Sequence, residues 1–414
     1  MPSIARKNLL EDIPRFLVAQ AGIMFAVSLV TIQTGIFGGF SRSSTTLIDN
    51  SDADIWVGAS EMVYLELTLP IPAGLVNQVN DIDGVARAEA LTIRSGGIWR
   101  SAGGSKISPV RLVGFSPSSQ LFDPGSLIEG NWDDLQTPYT FITDRTNLGS
   151  LRLETVGDHA SIGSLPATLV GLSQETQFIA SSTFLFTSLE TANAYITSGL
   201  SSTTNCQFES GQLFCTNVYS QTQPNSPNVA PAPLSASDAI TYVLVRAEPG
   251  HDLQALKQQL DRALPGTRSY TKAEMASRTR NYWQRRTGLG FVLGLGAAVG
   301  IIVGMVIVGQ ILYSSVVDHI QEFGTLKAMG APDRLIYRII MEQALWMAVL
   351  GYIPSMALCL ALGTWTFTTQ GIMILITPVT AVGIFGVTIV MCVGSALFAI
   401  QKVTHVDPAI VFKA

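Results

Sequence analysis

Charge is scarce in this chain. Of its 414 residues 13% are Asp, Glu, Lys or Arg and 47% are hydrophobic, against about a quarter charged in an ordinary soluble domain. The scarcity is local. Residues 41–286 hold 17 of the 25 Lys and Arg and 23 of the 30 Asp and Glu, a net charge of −6 (17 minus 23). The other eight basic residues, Arg6, Lys7, Arg15, Lys327, Arg334, Arg338, Lys402 and Lys413, sit at the ends of apolar runs. Composition therefore implies a membrane protein carrying one large water-soluble domain. A weakly acidic domain with no basic cluster beyond its last helix excludes nucleic acid as a partner.

Catalytic signatures are missing as well. None of the seven lysines (7, 106, 257, 272, 327, 402, 413) follows a glycine, so there is no Gly-Lys-Ser/Thr loop to cradle phosphates and the chain is not its own conventional ATPase. No serine occupies a Gly-x-Ser-x-Gly elbow. The segment His319 to Phe323 lacks the second histidine of a zinc site, and His159, His251 and His405 are isolated, as polar surface residues are. These absences exclude a membrane-embedded enzyme and leave no metal site. An ion-coupled transporter needs ionisable groups within its spans, yet only Glu342 qualifies. Four cysteines are too few for a disulfide scaffold. Cys359 and Cys392 lie in apolar runs as packing residues. Cys206 and Cys215 lie in a polar stretch, where a disulfide, if the domain is extracytoplasmic, and two free thiols fit equally well.

What the chain has in abundance is long apolar runs. Spans are expected at 16–40, 289–317, 339–367 and 374–400, with Pro354 kinking the third. No Asp, Glu, Lys, Arg or His lies between Thr287 and Asp318. The first run reads as an uncleaved signal anchor. It follows an amphipathic segment, residues 1–15. Basic residues flank the N-terminus, the 318–338 loop and the 401–414 tail, so these face the cytoplasm and residues 41–286 are translocated. Arg278, Arg280, Arg285 and Arg286 run against that bias, although long translocated domains largely escape it. The fold class is an α-helical membrane protein with four transmembrane helices, one before and three after a large inserted α/β extracytoplasmic domain.

Within the insert, strands are expected at 54–57, 85–99, 106–115, 162–172, 240–247 and 267–270, and helices at 73–80, 189–196, 252–264 and 272–286. The two strand–helix–strand units at its ends suggest one ferredoxin-like layer. Residues 198–238 are rich in Ser, Thr, Asn, Gln and Pro and read as a flexible or disordered loop.

Two segments suggest function. Residues 318–330 follow the second span, and Phe323, Leu326 and Met329 form a narrow apolar stripe closed by Gly330 and Pro332. Such a helix docks in a partner's groove or lies on lipid headgroups. Gly290 and Gly294, and then Gly296, Gly300 and Gly304, form two runs with spacing of four along the second span. They serve either packing within the chain or a seam between two subunits, and four helices are few for enclosing a pathway alone, which favours a homodimer.

The run Glu322-Phe323-Gly324-Thr325-Leu326-Lys327-Ala328-Met329-Gly330 resembles the cytoplasmic signature of FtsX/MacB-like ABC transporter permeases, and residues 405–412 resemble their C-terminal tail. Ala21 to Ala26, Asp54-Ile55-Trp56-Val57, Tyr282-Trp283 and Asp318-His319 are similar to the DevC-type permease of heterocyst-glycolipid export. The resemblance implies a homodimeric permease in the inner membrane served by two ATPase subunits that bind ATP and Mg, with no cofactor in this chain. It implies a periplasmic membrane-fusion adaptor and an outer-membrane channel, with a lipid, glycolipid or other hydrophobic cargo. Glu322, Phe323, Leu326, Lys327, Met329 and Gly330 would then couple to the ATPase. Two other functions fit the same family: an FtsX-like transmitter that regulates a periplasmic hydrolase, and a lipoprotein-releasing permease.

The topology is testable at Thr325. In a background with Cys206 and Cys215 replaced by serine, a cysteine at position 325 should react with an impermeant thiol reagent only after the cells are permeabilised. Labelling in intact cells would invert the orientation.

Overall fold

The computed structural model describes residues 13–101, 107–198, 201–209, 212–220, 230–318, 322, 325, 329, 331–370 and 373–404. The chain divides into two compact units, Met1–Phe40 with Thr287–Ala414, and Ser41–Arg286. The boundaries coincide with the change from apolar to charged sequence, because each unit buries its own apolar surface.

In chain order the elements begin with α1 (Ile13–Ser43), α2 (Thr46–Asp49), β1 (Ile55–Ala59), β2 (Ile71–Pro72), α3 (Leu75–Asn80), β3 (Val85–Ser101) and β4 (Ile107–Phe115). There follow β5 (Leu127–Glu129), β6 (Thr140–Asp144), α4 (Leu148–Leu151), β7 (His159–Ile162), β8 (Leu165–Ser173), β9 (Thr183–Ser188) and α5 (Leu189–Thr197). Next come β10 (Ser201–Glu209), β11 (Gln212–Ser220), β12 (Ala239–Ile240), β13 (Tyr242–Ala247), α6 (Leu253–Ala263), β14 (Thr267–Thr271) and α7 (Lys272–Thr287). Helices α8 (Leu289–Asp318), α9 (Asp333–Gln370) and α10 (Pro378–Thr404) complete the described elements.

The inserted unit is built on one sheet of order β14-β1-β13-β3-β4-β9-β6-β8-β5, with β7 joining β3 and β8. Its first four strands pair antiparallel. Helices α3 and α6 connect them as the split β-α-β arrangement of the expected ferredoxin-like layer. Ile55, Val57, Val243 and Val245 pack against Leu256 and Leu260 of α6, all fully buried. Each such side chain contributes about 1.5–3 kcal/mol. Trp56 and Tyr242 fill the opposite face edge to face, with ring centroids 5.5 Å apart and both fully buried. A sheet covered on both faces explains why β1 and β13 read as continuous apolar runs.

The long strand β3 carries the sheet into a second lobe. There β4 pairs parallel with β9, and β6 parallel with β8. Trp99, Leu112, Phe141, Leu169 and Leu185 form its core. The Trp99 indole N–H donates to the Leu151 carbonyl at 3.1 Å, so the buried ring leaves no orphaned donor.

Residues 198–238 depart from the expected loop. Strands β10 and β11 form an antiparallel hairpin, with Cys206 opposite Cys215 and Phe208 opposite Leu213. The physical reason lies in Thr203, Phe208, Phe214, Val218 and Tyr219, whose β-branched and aromatic side chains favour extended pairing despite the surrounding Ser, Asn and Gln. Residues 221–229, with Pro224 and Pro227, lie outside the described residues.

In the other unit, Phe16–Ser43, Leu289–Asp318, Arg334–Phe367 and Pro378–Leu397 are long and apolar enough to cross a membrane, and the insert follows the first of them. Helix α9 starts at Asp333, six residues before the expected span, because the polar 333–338 segment is already helical, and it runs on through Pro354. Helix α1 is central. Half of its most apolar window is buried, against 17% for α8, so α8 keeps an open apolar face. Ala19, Ile23, Ala26 and Val30 of α1 cluster with Val308, Leu312, Ala344, Met347 and Met391. Between helices, the Ser395 hydroxyl donates to the Met305 carbonyl and the Tyr352 hydroxyl to that of Ala381, each at 2.8 Å. Gln20 and Gln33 are not the interhelical glue that two amides in apolar runs suggest. Neither amide atom of Gln20 has a hydrogen-bond partner among the described residues, nor has Oε1 of Gln33.

The segment before α10 crosses α1 at its glycines. The Leu375 N–H donates to the Gly35 carbonyl at 2.9 Å, and a Cβ at Gly39 would collide with the Met373 carbonyl. Backbone cannot swing aside as a side chain can. Gly39→Ala should therefore cost about 1–3 kcal/mol, read as a lower unfolding temperature in detergent. An unchanged midpoint would mean that the 373–375 segment does not press on α1.

Candidate functional site

Of the expected coupling residues, Glu322 is helical and exposed, and Met329 is 72% exposed with its N–H donating to the Thr325 carbonyl at 3.0 Å. Phe323, Leu326, Lys327 and Gly330 lie outside the described residues. The segment joins α8, which ends at Asp318, to α9, which starts at Asp333.

The glycine stripe of α8 is filled largely from within the chain. A Cβ at Gly300 would stand 3.0 Å from Leu29, one at Gly296 would meet the Gln33 amide, and one at Gly304 would meet Ala26 and Met391. Gly290 approaches Phe37. Four of the five positions thus let α1 and α10 come close, which is the intrachain alternative. At Gly294 a Cβ meets nothing within 4 Å, and Phe291, Leu295, Ile302 and Val306 are exposed. Any contact with a second copy through α8 would use that side.

Cys206 and Cys215 face each other in the β10–β11 register. The backbone brings together two positions that the sequence only placed in one stretch.

The most heavily bonded part of the insert is α7 and the loop it grips. Thr271 and Glu274 form a reciprocal cap, the Thr271 N–H donating to Glu274 Oε2 at 3.0 Å and the Glu274 N–H to the Thr271 hydroxyl at 3.3 Å. Lys257 donates to both Glu274 oxygens at 2.7 Å. Burial alone would raise the Glu274 pKa, but Lys257 and the Thr271 N–H outweigh it and hold the carboxyl below its usual value. Lys272 reaches the Ser51 carbonyl at 2.7 Å and Arg280 the Thr45 hydroxyl at 3.4 Å. The two ends of the insert are thereby tied together.

Residues 62–66 lie across the other side of α7. Arg278 donates to the carbonyls of Met62 at 2.7 Å and Val63 at 3.1 Å, and the Leu65 N–H donates to Thr279 Oγ1 at 3.3 Å. Tyr64 stacks on Tyr282, centroids 4.1 Å apart, and meets Trp283 edge-on at 5.4 Å. Phe178, in the second lobe, touches Trp283 at 4.9 Å. Such ring pairs are worth about 0.5–1.5 kcal/mol each beyond their buried area.

The loop then plugs into the sheet. Glu66 Oε2 pairs with Arg111 Nε at 2.8 Å and accepts from the Ser181 hydroxyl at 2.6 Å, and the Glu66 side chain is 4% exposed. The Tyr242 hydroxyl donates to the Leu65 carbonyl at 2.8 Å. Burial raises the Glu66 pKa above the usual carboxyl value, outweighing the downward pull of Arg111 and Ser181. Burial and the neighbouring Glu66 push the Tyr64 hydroxyl up to about 12. No local motif announces this junction, because its partners are up to 216 positions apart. Arg278 and Arg280, which run against the charge bias, and the Tyr282-Trp283 pair were the sequence features that pointed toward it.

Among the described residues no three His, Cys, Asp or Glu side chains converge as a metal site. Four helices apolar enough to cross a membrane and an α/β insert whose two ends are bonded together define a membrane protein with one large inserted domain.

Comparison with known proteins gives the family. Residues 16–263 match the MacB-like periplasmic core domain and residues 294–408 the FtsX-like permease C-terminal family. The chain belongs to the FtsX/MacB-like ABC transporter permease family. It is 25% identical over 154 residues to the pyoverdine export ATP-binding/permease protein PvdT of Pseudomonas syringae pv. tomato, covering 37% of this chain and 23% of that protein. It is 23% identical over 171 residues to the PvdT of Pseudomonas putida, covering 40% and 26%. The chain thus spans about a quarter of the length of these curated relatives. Among solved structures, the periplasmic region of MacB from Actinobacillus actinomycetemcomitans is similar at 11% identity and a TM-score of 0.35, over 56% of this chain and 94% of that one. The extracellular domain of the ABC-type transporter YknZ is similar at 10% identity and 0.31, over 53% and 99%.

Glu66 makes the junction testable. Glu66→Ala leaves Arg111, with a side chain 12% exposed, buried without its counter-charge and should cost about 3–5 kcal/mol, read as a drop in Tm. The pH dependence has a definite sign. With its folded pKa raised, Glu66 contributes stability that is full below the unfolded value near 4.5 and is lost as pH rises through the folded value. Glu66→Gln does not ionise, so the Tm of the wild type minus that of the variant should fall as pH climbs above 4.5. A difference that is flat with pH would count against a buried carboxyl.

Proposed function

We propose that this chain is the membrane subunit of an ABC exporter that transmits ATP-driven motion to its inserted domain. The α7 junction carries this reading. Helix α7 ends one residue before α8 and is bonded both to the start of the insert, at Thr45 and Ser51, and to the loop that Glu66 anchors to Arg111. A displacement of α7 would therefore reach both lobes of the domain. Gly288 separates the two helices with φ +60°, a conformation that glycine adopts without strain.

The driving force enters from outside these 414 residues. No lysine here follows a glycine, while the curated relatives are ATP-binding/permease proteins. In this reading two ATPase subunits grip residues 318–338 in the cytoplasm, where both termini also lie. Phe323, Leu326 and Met329 anchor the contact, and Glu322 with Lys327 sets its register. One helix before the insert and three after it cross the inner membrane, and two copies assemble. The translocated domain passes a lipid, glycolipid or other hydrophobic cargo, as a DevC-type permease does, to an adaptor and an outer-membrane channel. The chain itself performs no chemical conversion and holds no cofactor.

Two measurements test this. Phe323→Asp places a charge in the docking contact and should abolish co-purification with the ATPase; retention would remove the segment from the interface. In reconstituted complex, ATP hydrolysis should rise with a glycolipid cargo. Indifference to lipid combined with a response to a periplasmic hydrolase would assign the chain to signalling.

A further inference from the structure

The exposed face of α7 carries a charge that nothing in the fold requires. Ala273, Ser277, Asn281 and Arg285, four residues apart, are exposed, while Met275, Ala276 and Thr279 are buried. This face borders an open groove of about 850 Å³, lined by Lys257, Arg268, Arg278, Arg285 and Arg286 with one carboxylate, Glu274. Five cations against one anion leave a formal excess of +4 in a domain whose net charge is −6.

Internal partners account for only part of that excess. Lys257 is matched by Glu274. Arg278 is held by two carbonyls, which fix its guanidinium without neutralising it. Arg268 lies 5.8 Å over the Tyr270 ring. Arg285 and Arg286 have no ion pair or hydrogen bond among the described residues and are exposed. Like charges gathered in one groove repel each other unless an outside anion occupies it. The groove is not wholly polar, since Val63, 40% exposed, and Tyr282 also line it.

Chain length gives the position of the charges. Leu289 opens the apolar span only three residues after Arg286, so their Cα atoms are at most about 11 Å apart. Two guanidinium groups so few residues from an apolar span are within chain reach of lipid phosphates. We propose that the α7 groove binds the phosphate of an anionic phospholipid headgroup, with Arg268, Arg285 and Arg286 supplying the charge, Arg278 a fixed guanidinium edge, and Val63 and Tyr282 the apolar border. The assignment does not depend on what the exporter carries.

The test uses the full chain in neutral detergent, with bound lipid counted by native mass spectrometry. Phosphatidylglycerol should bind at least tenfold more tightly than phosphatidylcholine. Arg285→Gln with Arg286→Gln should weaken it about thirtyfold, taking about 1 kcal/mol per basic residue near a phosphate surface. The charge-preserving pair Arg285→Lys and Arg286→Lys should keep most of the affinity, and Arg100→Gln, at an exposed arginine elsewhere on the domain, should change nothing. Equal binding of the two lipids, a double glutamine variant that binds as the wild type, or an equal loss in Arg100→Gln would each overturn the site. Glycerol phosphate should compete only weakly. If it binds as tightly as the lipid, a soluble phosphate ester is the ligand and the headgroup assignment fails.

Discussion

Five residues, Met62 to Glu66, hold the inserted domain to the helix by which the chain re-enters its apolar half. On one side Arg278 and Thr279 bind their backbone, and on the other Glu66 sits buried against Arg111 and Ser181. Removing either grip would break the link this loop makes between α7 and Arg111. A buried charge pair is seldom a net source of stability, because desolvation offsets most of its attraction. Its value lies in geometry: once both charges are buried, the loop has one register in which neither is orphaned. The raised pKa of Glu66 expresses the same competition, with burial prevailing over the arginine.

The membrane-spanning unit follows a different rule. Apolar side chains gain little by leaving lipid for one another, so close approach and interhelical hydrogen bonds decide the packing. Glycines of α8 admit Leu29 and Ala26, Gly39 admits the Met373 backbone, and Ser395 and Tyr352 donate across helices. Helix α1 occupies the middle of this arrangement and α8 its margin.

Charge in the insert is correspondingly concentrated. The arginines of α7 divide their work, Arg278 and Arg280 tying the helix to the domain while Arg285 and Arg286, a few residues before the apolar span, have no ion pair among the described residues. The same basic run that opposes the usual bias of charge across membranes is thus partly structural.

The sequence by itself determined the division into apolar helices and one inserted α/β domain, together with the family. Hydropathy, strand alternation and the 322–330 signature are local, and local patterns survive without knowledge of contacts. It also foresaw the split β-α-β layer, since a strand–helix–strand pattern is legible at each end of the insert. The β10–β11 hairpin escaped because Ser, Asn and Gln hide its Thr, Phe and Val alternation. Tertiary structure alone decided that the α8 glycines face α1, that Cys206 stands opposite Cys215, and that Glu66 meets Arg111. Each depends on which distant residues arrive at the same place, and spacing along a chain carries no record of that until the sheet order brings them together.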